Sequence, residues 1–67
     1  MEKIFKTDLI KNYLKQNNLT EKVFCNLCKI SETDLSLVFQ HDLEIDLICL
    51  FKIAKRLNLH VKELFIK

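Results

Sequence analysis

The chain has 67 residues, 11 Lys and Arg against nine acids, a formal net charge of +2, and neither Gly nor Pro. A single domain of that length buries only about 60% of its unfolded surface, and a hydrophobic content of 49% excludes wholesale disorder. Nothing alternates with period two, and Val23, Val38 and Val61 are the only valines, so strands are excluded and the fold class is all-α.

The opening MEKIFKTDLI is charged throughout and lacks the apolar centre of a secretory signal. The longest apolar run, Leu47 to Phe51, falls far short of the roughly 20 residues that cross a bilayer. A cytoplasmic, soluble chain is therefore expected, with no membrane partner. Lysine outnumbers arginine ten to one and Ala54 is the lone alanine, a bias that an AT-rich genome encodes and that points to a low-GC bacterium or a mobile element.

In chain order, residues 1–6 are expected to fray, although Ile4 and Phe5 are apolar enough to dock. A first helix runs from Thr7 or Asp8 to about Gln16, with Leu9, Ile10, Tyr13 and Leu14 inward. Gln16-Asn17-Asn18 ends it, because asparagine favours turns. Thr20 caps a second helix whose stripe is Phe24, Leu27 and Cys28. Lys29 either takes the left-handed conformation, at a cost on the order of 1 kcal/mol, or belongs to a reshaped turn. Ser31, with Asp34 three residues on, starts a third helix from about Glu32 to Gln40 that turns Leu35 and Val38 inward. His41 to Ile45 connect it to a fourth helix capped by Asp46, with Leu47, Leu50, Phe51, Ala54 and Leu57 as its stripe and Ile53 beside it. Asn58 ends that helix. A last turn, Val61 to Phe65, places Leu64 and Phe65 as a lid.

The two short helices joined at Cys28-Lys29-Ile30-Ser31 form a helix-turn-helix over residues 20–39. Leu19 and Thr20, the pair Phe24 and Cys25, the turn Lys29-Ile30-Ser31, the anchor Leu35, and LFKIAKRLNLHVKELF from Leu50 to Phe65 together carry a resemblance. The chain resembles the Cro/repressor-type (XRE) DNA-binding family. The resemblance implies a compact five-helix repressor-like domain over residues 1–67, acting as a transcription regulator and dimeric through its C-terminal helices. That family often pairs a Glu at the position of Phe39 with an Arg at the position of Leu14; here both are apolar, and an apolar pair packs as core.

Enzyme chemistry finds no footing, since there is no Gly-rich phosphate loop and no Ser/His/acid arrangement among two histidines. His41 and His60 read as solvated loop residues, His60 also as a cap for the last turn. Cys25-Asn26-Leu27-Cys28 is a CxxC, and Cys28 to His41 has zinc-finger spacing, but His60 comes 19 positions after His41. Cys25 and Cys28 are therefore read as small core residues and Cys49 as partly exposed, with no metal and no cofactor expected.

The DNA-contacting residues are those implied by the resemblance. Thr20, Glu21 and Lys22 would form a phosphate clamp. Glu32, Thr33, Ser36 and Leu37 would read bases in the major groove, with Gln40 near the backbone. Thr33 and Leu37 suit a thymine methyl and Glu32 suits cytosine N4. Charge runs against this surface. Residues 1–30 carry six Lys and three acids, +3; residues 31–46 carry five acids and no base, −5; residues 47–67 carry five bases and one acid, +4. Phosphate binding rests on Lys and Arg. The alternative is a protein-interaction module on the same scaffold, its acidic face around residues 32–46 docking with Leu37 on a basic protein partner.

Overall fold

A computed structural model describes residues 3–66 of the chain. It contains α1 (Thr7–Gln16), α2 (Glu21–Cys28), α3 (Glu32–Phe39), α4 (Leu47–Leu57) and a single 3-10 turn, Val61–Leu64. The all-α expectation holds, with four α-helices and a 3-10 turn where five helices were expected. The last segment is too short to be a fifth α-helix. His60 is extended before it, and Phe65 is extended after it.

The chain has no glycine, yet each of the four helices ends the way glycine usually ends one. Asn18, Lys29, His41 and Asn58 all have positive φ, between 54° and 60°. In each case the next residue donates its amide five positions back: Leu19 to Leu14, Ile30 to Cys25, Asp42 to Leu37 and Leu59 to Ala54, at 2.9–3.0 Å. The left-handed residue itself bonds three back, which completes the Schellman pattern and satisfies two otherwise orphaned carbonyls per helix. Lys29 therefore adopts the left-handed conformation, and the turn is not reshaped.

Phe24, Ile10, Leu35, Ile53, Leu64, Val38 and Cys25 are the largest fully buried side chains. Leu35 and Val38 point inward as expected. Two stripes differ from the sequence reading. On α2 the buried set is Phe24, Cys25 and Cys28, while Leu27 is 42% exposed. On α4 it is Cys49, Leu50, Ile53 and Ala54, while Leu47 and Phe51 stand more than half exposed. The run Leu47-Ile48-Cys49-Leu50-Phe51 offers an apolar residue at every position, so periodicity alone cannot select a face. The neighbours select it: α2 and the 3-10 turn both pack on α4. Cys49, expected to be partly exposed, is instead buried, at 8% exposure.

The chain's two ends clasp each other. Phe5 and Phe65 form an antiparallel bridge, Lys6 donates its amide to Leu64 O at 2.7 Å, and Ile66 donates to Ile4 O at 2.8 Å. The amides of Ile4 and Phe5 both donate to Nδ1 of His41, at 3.0 and 3.2 Å, and the Phe5 ring stacks on the imidazole. His41 is thus half-buried and structural, not a solvated loop residue. Ile4 and Phe5 dock, so the fraying expected over residues 1–6 does not extend to Ile4, Phe5 and Lys6, which are held by these bonds; Met1 and Glu2 lie outside the described residues. Phe39 and Leu14 are both partly buried against the core, and the Lys11 ammonium sits 5.6 Å from the Phe39 ring centroid.

Candidate nucleic-acid interface

The geometry of the α2–α3 turn follows from three local devices. Thr20 Oγ1 accepts from the Val23 amide at 3.2 Å and starts α2. Lys29 reverses the chain at φ 60°, ψ 45°. Ser31 Oγ then accepts from the Asp34 amide at 3.0 Å, while the Asp34 carboxylate accepts from the Ser31 amide at 3.2 Å, a reciprocal capping box that starts α3. With Leu35 and Val38 holding its inner side, α3 presents Glu32, Thr33, Ser36 and Gln40 to solvent, all on one helical face.

The remaining predicted contacts divide. Thr20, Glu21 and Lys22 are exposed at the start of α2, and the Thr20 hydroxyl is already engaged in capping. Leu37, expected on the exposed reading face, is half-buried and packs on the core. Four of the last five residues of α3 are apolar, so the helix buries a wider arc than the pair Leu35 and Val38. The outward face is therefore smaller and more polar than the sequence reading made it.

Three of the five acids in residues 31–46 hold backbone amides in place. Asp34 closes the capping box. Asp46 Oδ1 accepts from the Ile48 amide at 2.9 Å as the cap of α4. Asp42, for which no local role was expected, accepts from the Glu44 amide at 2.9 Å and shapes the α3–α4 loop. Bonding from the Ser31 backbone, and then from the Cys49 thiol, holds the Asp34 carboxyl below the ordinary carboxylate value.

The positive charges gather elsewhere. Leu27, Cys28 and Lys29 at the end of α2 face Lys52, Lys55 and Arg56 of α4 across an open groove of about 500 Å³. Lys52 Nζ donates to Lys29 O and an Arg56 guanidinium nitrogen donates to Leu27 O, each at 3.2 Å. Four cations and no acid line this groove. The sequence reading missed it because its halves lie 23 and more positions apart; the spacing of Lys52, Lys55 and Arg56 on one helical face was the available signal.

The three cysteines are free and buried. Burial pushes the thiols of Cys28 and Cys49 up to about 11, with the Asp34 carboxylate adding to the effect at Cys49 and Arg56 opposing it at Cys28. These thiols belong to buried core residues, and among the described residues no three metal-ligating side chains converge. No helix among the described residues is long and apolar enough to cross a membrane. No protein-family model, curated protein or solved structure matches this chain.

Proposed function

We propose that this chain is a repressor-like helix-turn-helix domain of the Cro/repressor type, a non-enzymatic regulator of transcription that places α3 in the major groove of duplex DNA. The observation that carries the reading is the outward side of α3. Its inner residues are fixed in the core, its start is fixed by a capping box, and Glu32, Thr33, Ser36 and Gln40 remain free and polar on one face. A rigid helix that offers uncommitted hydroxyl, amide and carboxylate groups suits base edges. Local hydrogen bonds account for the presence of Asp34, Asp42 and Asp46, which keep their charge, and leave Glu32 and Glu44 as the acids of residues 31–46 without a local structural role.

The test is selection of bound sequences from a random duplex library, followed by titration at two salt concentrations. Wild-type protein enriches a defined sequence and its affinity falls with salt. Thr33→Ala with Ser36→Ala changes which sequence is enriched and leaves thermal stability unchanged, because both side chains are exposed. Enrichment of the same sequence by that variant would remove α3 as the reader.

A second reading has its own support. Leu43 is 73% exposed between Asp42 and Glu44, and Leu47, Ile48 and Phe51 continue an apolar strip along α4. An apolar strip rimmed by acids fits a basic protein partner. Under that reading the Thr33 and Ser36 substitutions are silent, and Leu43→Ser abolishes partner binding.

A further inference from the structure

From the groove between α2 and α4 we infer a phosphate-backbone site, formed by Lys29, Lys52, Lys55 and Arg56, that serves as this chain's main electrostatic contact with duplex DNA. The inference rests on the DNA-binding reading above and relocates its phosphate contact. The expected clamp, Thr20-Glu21-Lys22, carries no net charge, because Glu21 offsets Lys22. The groove instead brings four cations together with no acid in its lining.

Two of these cations have structural work. Lys52 and Arg56 donate to the carbonyls of Lys29 and Leu27, where a helix end is partially negative. That role accounts for two positive charges. The side chains of Lys29 and Lys55 are exposed additions to the same groove, and like charges brought together repel unless an anion lies between them. The floor, Leu27 and Cys28, contributes no competing charge, since burial keeps the Cys28 thiol protonated at neutral pH.

The location fits a strand that flanks the reading helix. Lys29 lies two residues before the Ser31 cap of α3, and the Lys52 charge is felt at Asp34 in its first turn. A phosphodiester chain in the groove therefore passes the N-terminal end of α3. An extended polyanion also suits the groove's open form.

The experiment uses the full chain and a fluorescent duplex, with affinity measured over a salt series. The variant Lys29→Gly with Lys55→Gln removes two charges without touching the Lys52 and Arg56 bonds, and glycine is the residue that the Lys29 backbone favours. The control, Lys15→Gln with Lys62→Gln, removes the same charge from exposed positions outside the groove. The groove variant is expected to keep or raise its unfolding temperature while the slope of log affinity against log salt falls by about 2, with the control's slope unchanged. Equal slopes in wild type and groove variant overturn the groove assignment and leave the DNA reading standing. An equal drop in the control overturns it as well, by reducing the effect to net charge. If intact protein binds no duplex at low salt, or prefers a polyglutamate peptide, both the DNA reading and the groove site fall.

Discussion

Four residues with positive φ end the four helices, and their side chains are not equivalent. Asn18 and Asn58 are the residue type that tolerates the left-handed region best after glycine. Lys29 has no such tolerance, and its side chain makes no bond that requires the conformation. His41 also pays the steric cost, but its Nδ1 satisfies the amides of Ile4 and Phe5. Glycine substitution should separate the two. Lys29→Gly raises unfolding stability by about 1 kcal/mol, whereas His41→Gly lowers it by about 1–3 kcal/mol, because two partly buried amides lose their acceptor. Denaturant melts of both variants check this; a gain at His41 or a loss at Lys29 contradicts it. Asp34 gives a second prediction at this scale. Its folded carboxyl titrates below the ordinary value of 3.8, so its stabilising effect is complete above that value and is lost as pH falls through the lower folded value. The stability gap between wild type and Asp34→Asn should thus be open at pH 7 and close below about pH 4. A gap that stays constant across that range would show that the carboxylate's charge has no part in the capping box.

At the scale of elements, the starts and stops of the helices were legible and their faces were only partly so. Thr20, Ser31 and Asp46 cap the helices that the sequence assigned to them, and Asn58 ends α4, because a cap is a contact between residues two or three positions apart. A buried face is decided by what packs on it. α1 and α3 each offer polar residues that rule out the wrong side, and Ile10 on α1 and Leu35 and Val38 on α3 are buried as read. α4 begins with five apolar residues in a row, so the choice of Cys49 over Leu47 and Phe51 came from α2 and the 3-10 turn. Leu27 and Leu37 exchange environments relative to expectation for a related reason. Short helices wedged between two neighbours bury an arc that their own letters only bracket. The reading face of α3 was legible apart from Leu37. The cationic groove was not, since neither Lys29 nor the α4 trio has meaning until the fold joins them.

For the whole molecule, the chain order of charge, positive then negative then positive, becomes a spatial arrangement. Lys29 from the first positive block and Lys52, Lys55 and Arg56 from the second meet along the α2–α4 groove, and the negative block, residues 31–46, forms α3 and the loop after it. Compactness helps, with a Cα radius of gyration of 10.8 Å. Under the proposed reading, groove cations and the α3 face are within one ligand's reach, while the exposed apolar residues Leu43, Leu47, Ile48 and Phe51 belong to the rival proposal of a protein partner. The most direct measurement is a backbone amide NMR titration of the full chain with its selected duplex. Perturbation of Thr33, Ser36 and Gln40, together with Lys29 and Lys55, is the predicted result. Perturbation confined to Leu43, Leu47, Ile48 and Phe51, or none at all, would contradict recognition of DNA by α3.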